Sequence, residues 1–126
     1  MMTECASPGP AWLPVAVGET QAMMKCWGCK TLSSLHKDSG ASYATLRKLD
    51  PQAPDPTLQV ETVLKLFTRL YQVANLLLEG EQREQVMAQA TRSLMAISAA
   101  ANPLGKADLK RIEARRAIRY RHRQRH

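Results

Sequence analysis

Apolar side chains recur at helical spacing through most of the chain. From Val60 to Leu78 the steps between apolar positions are three and one, which predicts a helix of about five turns, capped by Thr57. Gly80 interrupts the pattern, and a further helix is predicted from Glu81 to Ala101. The apolar stripe of this last helix comprises Val86, Met87, Ala90, Leu94 and Ile97.

Shorter helices are predicted before these two. One covers Glu19 to Trp27 and ends at Gly28, because glycine readily adopts the left-handed conformation that terminates a helix. Thr31 can cap the next helix, from Leu32 to Lys37, by accepting a backbone hydrogen bond.

A tight turn is predicted between this helix and a third one. Gly40 suits the left-handed conformation that such a turn requires, and Ser42 can cap a helix from Tyr43 to Leu49. Leu46 and Leu49 are three positions apart and are expected to face the core. Asp50-Pro51 then ends the helix, and a proline-rich connection follows.

These elements predict an all-α protein, in which a compact helix-turn-helix domain of four to five helices precedes a helical hairpin and a basic tail. The expected boundaries are a flexible arm over 1–18, the helix-turn-helix domain over 19–70, the hairpin over 71–105 and the tail over 106–126. The arm is rich in proline and glycine, and it can dock onto the body through Trp12, Leu13 or Val15.

The hairpin has two interpretations. Its apolar faces can close a contact between two subunits, or they can pack back on their own domain. Under the first interpretation we expect a homodimer, and 71–105 can also bind a protein partner. The dimer candidates are Leu77, Leu78, Val86, Leu94 and Ile97.

The net charge of +7 is confined to the tail. Residues 1–105 carry 9 basic and 9 acidic side chains, whereas residues 106–126 carry 9 basic and 2 acidic ones. Such asymmetry indicates a polyanionic partner, nucleic acid first and an acidic membrane surface second. The tail residues expected to bind are Lys110, Arg111, Arg115, Arg116, Arg119, Arg121, Arg123 and Arg125.

The location follows from two absences in the sequence. No apolar run reaches about 18 residues, so no membrane span is expected. The N-terminus lacks the basic start and apolar run of a secretory signal, and three cysteines are more consistent with reduced thiols than with disulfides. The expected location is therefore the cytoplasm, or the nucleoid of a bacterium.

One segment carries a family resemblance. The matching positions are Thr31, Leu35, Ser39, Gly40, Ser42, Leu46, Leu49, Pro56, Thr57, Leu58, Leu64, Phe67 and Leu70, with Asp50 where the family has Glu. With these positions, residues 31–70 resemble the Xre/Cro-type helix-turn-helix domain of the lambda-repressor-like fold. The resemblance extends weakly through the first predicted helix and does not cover the arm, the hairpin or the tail.

The resemblance implies a role for each position around the third helix. Tyr43, Ala44 and Lys48 are expected to face DNA bases, with Lys48 donating to guanine and Tyr43 or Ala44 touching a thymine methyl group. The side chains expected to contact the DNA backbone are Thr31, Lys37, Ser42, Thr45 and Arg47. The alternative is that Arg47 and Lys48 are ordinary solvent-exposed residues that do not contact DNA.

Three positions depart from the family pattern. His36 stands where the family has a small alanine, so it is expected either to splay the two motif helices or to turn its imidazole to their rim. Leu32 replaces a polar residue that helps to bind phosphate, and Ala41 replaces the usual valine or isoleucine.

Other chemistry is predicted to be absent. Cys26 and Cys29 form a CxxC pair, which can be a redox pair or half of a zinc site, but is more simply a core residue, Cys26, and a turn residue, Cys29. Zinc would need Cys5 and His36 at no recognised spacing. No catalytic pairing, phosphate-binding loop or cofactor motif is recognised, so an enzyme, a metal and a cofactor are not expected.

Two functions are therefore expected from the sequence. The first is a sequence-specific double-stranded DNA-binding transcriptional regulator, in the form of a dimeric repressor of a phage, plasmid or operon. The second is a protein-interaction module on the same fold, with a tail that binds nucleic acid without sequence preference.

Overall fold

The computed structural model describes residues 9–102 and 111–118, and it confirms the all-α class. Within these ranges there is no β-strand, and five helices follow one another along the first range. A further helical stretch covers 111–118. The five helices are α1 (Trp12–Trp27), α2 (Leu32–Ser39), α3 (Tyr43–Arg47), α4 (Val60–Leu77) and α5 (Gly80–Ala101).

Helix α1 begins seven residues earlier than predicted, so the arm expected over 1–18 is wrong from residue 12 onward. Pro14 lies in the first turn of the helix, where a missing N–H costs no hydrogen bond. Trp12 and Leu13 do dock onto the body, as buried residues of that turn. Thr20 continues the buried stripe because its hydroxyl donates to the Ala16 carbonyl oxygen at 2.8 Å.

Two predicted glycine stops are confirmed. Gly28 adopts a φ of 75° after α1, where its N–H bonds to the Lys25 carbonyl oxygen and the Cys29 N–H bonds to that of Met24. Gly40 adopts a φ of 72° after α2, and its N–H bonds to the His36 carbonyl oxygen. The chain therefore reverses direction at both positions without backbone strain.

Helix α3 is two residues shorter than predicted. The N–H groups of Lys48, Leu49 and Asp50 each bond to the carbonyl oxygen three residues earlier, which tightens the chain into a 3₁₀-like turn. Leu46 and Leu49 are both fully buried, as their spacing predicted.

The start of α4 differs from the prediction, because Thr57 does not cap it. Gln59 occupies the N-cap position, and the Thr57 N–H and hydroxyl both donate to Asp55 Oδ1, at 2.8 and 2.6 Å. The buried face of α4 also includes Leu66 and Val73, which the predicted stripe left out.

Helix α5 packs along both α1 and α4, so the described part of the predicted 71–105 hairpin, residues 71–102, is not a separate extension. Val86 and Ile97 have no exposed surface within this chain, and Leu78 and Leu94 are half-buried against the same core. The dimer contact predicted through Val86 and Ile97 is therefore wrong, because the domain itself buries their apolar surface. Only Leu77 of the five dimer candidates is exposed, at 67%.

A polar network fixes α5 against α1. The buried Ser93 hydroxyl donates to Glu19 Oε1 at 2.7 Å, and Gln89 Nε2 donates to the same oxygen at 3.0 Å. Arg92 donates to Gln89 Oε1 at 3.0 Å, which satisfies the other end of the amide. These bonds are directional, so they select one register between the two helices.

The basic tail is described only in part. The helical stretch 111–118 is exposed throughout and includes Arg111, Arg115 and Arg116 of the predicted binding residues. The remaining predicted tail residues lie outside the described residues; they are Lys110, Arg119, Arg121, Arg123 and Arg125.

Candidate nucleic-acid interface

Helices α2 and α3, with the turn between them, form a helix-turn-helix unit whose two starts are capped by side chains. Thr31 Oγ1 accepts the Ser34 N–H at 3.0 Å, and Ser42 Oγ accepts the Thr45 N–H at 3.4 Å. Both caps were predicted, and both leave the capping residue exposed at a helix N-terminus. The hydroxyls are therefore at the surface, although each already bonds to its own helix.

His36 is half-buried and contacts both the turn and the start of α3. Its Nδ1 lies 2.6 Å from the Ala41 carbonyl oxygen. Because a carbonyl oxygen only accepts, Nδ1 carries the hydrogen in this bond. The imidazole also lies 5.7 Å from the Tyr43 ring, measured between ring centroids. His36 thus links the end of α2 to the start of α3.

The other two departures from the family pattern pack against the core. Leu32 is half-buried there, so it has no polar group to offer to a phosphate. Ala41 is 2% exposed, and it fills the interior position of the turn that the family gives to a larger residue.

The surface of α3 that faces away from Leu46 includes Ala44, and Lys48 directly follows the helix. These residues are four apart and both exposed, so they lie one above the other on one face. Leu46 and Leu49 point to the core on the opposite face. Two of the three predicted base-contact residues therefore share the face of α3 that is farthest from the core.

Tyr43 and Arg47 form one flank of α3. Tyr43 is 41% exposed, and the Arg47 guanidinium carbon lies 6.0 Å from the centroid of its ring. The ring is near both that cation and the imidazole of His36, and these contacts restrict the positions that Tyr43 can adopt. This third predicted base-contact residue lies beside the Ala44–Lys48 face rather than on it.

A cleft of about 440 Å³ lies along this flank, and we call it the α1–α3 cleft. It holds two cations, Lys30 and Arg47, and one carboxylate, Asp50. The lining residues are Gln21, Met24, Lys30, Thr31, Leu32, Ser33, Tyr43, Arg47, Asp50, Pro51 and Gln52.

A second cleft, of about 280 Å³, lies along the other flank of α3, and we call it the α3–α4 cleft. It brings Ser42 and Thr45, two predicted backbone contacts, next to basic residues of α4. The lining residues are Gly40, Ala41, Ser42, Thr45, Thr62, Lys65, Leu66 and Arg69.

The structure therefore gathers four of the five predicted backbone contacts at the clefts and leaves one away from them. Lys37 is exposed on α2 and lines neither cleft. Three basic residues were missed by the sequence analysis: Lys30, Lys65 and Arg69. Their positions in the sequence do not indicate that they lie near α3, although Lys65 and Arg69 stand four apart and share a helical face.

Lys48 has an acidic neighbour in the connection between α3 and α4. The hydrogen bonds from Thr57 are the main cause that holds the pKa of the Asp55 carboxyl below its usual value, and the charge of Lys48 contributes. The Asp55 N–H bonds to the Lys48 carbonyl oxygen at 2.9 Å. The connection is thus attached to the end of α3, with its carboxylate turned toward Thr57.

The burial of the CxxC pair differs from the prediction, because Cys26 is only half-buried against the core and Cys29, predicted as a turn residue, is itself part of the core. Cys29 is 8% exposed, and its thiol donates to Asp38 Oδ2 at 3.3 Å. Burial, together with this hydrogen bond and the Asp38 charge, raises the pKa of the Cys29 thiol from 9.0 to about 11. A thiol of this kind stays protonated and unreactive at neutral pH. Within the described ranges, no three side chains of His, Cys, Asp or Glu gather as a metal site would require.

Comparison with known proteins identified no matching family model, no similar curated protein and no similar solved structure. None of the helices in the described part of the chain is long and apolar enough to cross a membrane.

Proposed function

We propose that the protein is a sequence-specific double-stranded DNA-binding transcriptional regulator that acts as a repressor. The observation that carries this proposal is the setting of α3. The helix is anchored by Leu46 and Leu49, presents Ala44 and Lys48 outward, and lies between two clefts lined with basic side chains. A helix presented in this way fits the major groove, which is about 12 Å wide.

The division of labour follows from chemistry. Lys48 can donate to guanine O6 or N7, and the Ala44 methyl group can contact a thymine methyl group. The basic tail then adds affinity that does not depend on sequence, because each neutralised phosphate releases counterions. Residues 31–70 carry five basic and four acidic side chains, so most of the electrostatic attraction comes from 106–126.

Dimerisation is part of the proposal, but of the five residues expected to form its surface only Leu77 is exposed within one chain. Exposed apolar residues at the end of α4, Leu76 and Leu77, are the available candidates, at 80% and 67% exposure. A symmetric pair of domains would read two half-sites about one helical turn of DNA apart.

The test is selection of bound duplexes from a random pool at moderate salt, together with the mass of the free protein in solution. We expect one enriched motif, protected in a footprint, and a palindrome with a dimer mass if the protein acts as a pair. Equal retention of all duplexes would overturn sequence-specific regulation.

The second candidate function is an interaction module that binds a protein partner and attracts nucleic acid only through its tail. The exposure of Leu76 and Leu77, which are neighbours at the end of α4, favours this candidate, because exposed apolar surface of this kind marks protein-interaction sites. Equal retention of all duplexes, lost on removal of 106–126, would support it.

A further inference from the structure

The α3–α4 cleft has the chemistry of a phosphate site. Its rim carries the Lys65 and Arg69 cations from α4, and hydroxyls from Ser42, Thr45 and Thr62. Its lining includes no carboxylate. Ammonium, guanidinium and hydroxyl groups are the side chains that bind phosphate oxygens in proteins.

The two cations have no internal partner. Over the described part of the chain, neither Lys65 nor Arg69 forms an ion pair or a side-chain hydrogen bond. They stand four apart on one helix, where like charges disfavour the helix slightly. An anion bound between them would remove that repulsion, and both side chains are exposed and free to reach it.

The position of the cleft indicates which phosphate it can bind. A helix in the major groove has one phosphodiester strand on each side. The Ala44–Lys48 face lies between the α1–α3 cleft on one flank and the α3–α4 cleft on the other. With that face toward the bases, each cleft lies next to a different strand.

We propose that the α3–α4 cleft binds a backbone phosphate of the duplex, with Lys65 and Arg69 as the cationic ligands and Thr62 as a hydroxyl donor. This assignment rests on the proposed function. It gives α4 a direct part in positioning α3, because a phosphate held against α4 sets the depth and register of the helix in the groove. A free phosphate anion has the same chemistry and is the competing occupant.

The experiment measures affinity for the selected duplex and for a scrambled duplex between 50 and 200 mM salt. Lys65→Gln and Arg69→Gln are made singly and together, and Lys25→Gln is the matched control, since Lys25 is exposed on α1 and lines neither cleft. Circular dichroism and thermal unfolding verify that each variant folds.

We expect the slope of log affinity against log salt to flatten by about 0.9 for each single variant and about 1.8 for the pair. The loss of affinity is expected to be equal on both duplexes, and Lys25→Gln is expected to leave the slope unchanged. The charge-conserving variants Lys65→Arg and Arg69→Lys are expected to keep the slope of the unmodified protein.

Two outcomes would overturn the assignment while leaving the proposed function intact. One is an unchanged slope in the double variant when the unmodified protein binds its motif. The other is that inorganic phosphate raises the Tm of the unmodified protein but not of the double variant, while the double variant binds the duplexes as tightly as the unmodified protein. That result would assign the cleft to a free anion. Failure of the unmodified protein to bind any duplex would overturn the proposed function, and the phosphate assignment with it.

Discussion

The imidazole of His36 spans the turn between α2 and α3 and donates from Nδ1 to the carbonyl oxygen of Ala41, at 2.6 Å. The same ring contacts Tyr43 at the start of α3. A residue that was expected to weaken the contact between the motif helices therefore connects them. The geometry of the turn depends on this bond as well as on the left-handed Gly40.

Replacement of His36 by alanine is expected to destabilise the protein by about 1 kcal/mol, because the half-buried Ala41 bond is lost. Urea unfolding followed by circular dichroism measures the change. Lys37→Ala is the matched control on the same helix, since Lys37 is exposed, and it is expected to change stability by less than about 0.5 kcal/mol. Equal stability of the two variants would show that the His36 bond does not hold the turn.

Loss of the Ser93 hydroxyl is expected to destabilise the contact between α1 and α5. Ser93→Ala removes a donor to Glu19 and an acceptor for Gln89, leaving part-buried polar groups with fewer partners. The expected cost is about 1–3 kcal/mol, measured by urea unfolding. Ser98→Ala, at an exposed position of α5, is the control and is expected to be near neutral. A neutral Ser93→Ala would mean that packing alone sets the register.

The Cys29 thiol is expected to make stability fall at alkaline pH. Its pKa is raised to about 11 in the folded protein, so its contribution is fully present below its ordinary pKa of 9.0 and is lost as the pH rises through about 11. The free energy of unfolding, measured from pH 8 to pH 11, is expected to fall more steeply for the unmodified protein than for Cys29→Ala. Cys26→Ala is the control and is expected to keep the steeper fall.

Alkylation provides an independent measurement of the same thiol. Iodoacetamide at pH 8 is expected to modify Cys26, which is half-buried, faster than Cys29. Peptide mass spectrometry gives the two rates. A faster reaction at Cys29 would contradict the protonated, buried thiol and restore the redox interpretation of the pair.

Deletion of residues 106–126 is expected to weaken binding to all duplexes alike and to flatten the salt dependence, because nine basic side chains are removed with only two acidic ones. Affinities for the selected and scrambled duplexes at several salt concentrations measure both effects. If sequence preference disappeared while overall affinity remained, the roles would be reversed. The tail would then recognise the base sequence, and the helix-turn-helix unit would supply the affinity that does not depend on sequence.

The sequence predicted four of the local features that a single residue determines, and it failed at the Thr57 cap. Gly28 and Gly40 end helices in the left-handed conformation, and Thr31 and Ser42 cap them, because these effects act within a few residues. The start of α1 was missed for the opposite reason. Pro14 looks like a helix breaker until its place in the first turn is known.

Long-range placement was not predictable in the same way. The apolar face of α5 was identified from its spacing, but spacing does not say whether Val86 and Ile97 bury against α1 and α4 or against a second subunit. Likewise, the sequence around Lys65 and Arg69 does not indicate that these residues line a cleft with α3. The burial of α5 and the formation of the cleft both depend on how helices that are distant in sequence pack together, and a local sequence pattern does not determine that packing.

Base reading by α3 is tested most directly by the Lys48→Ala variant on the selected duplex and on duplexes with each base pair substituted in turn. The variant is expected to lose preference at one position, by about 1–3 kcal/mol, and to keep it at the others. Lys65→Gln, by contrast, is expected to weaken binding to every duplex equally. An unchanged preference at all positions in Lys48→Ala would contradict the assignment of α3 as the reader of sequence.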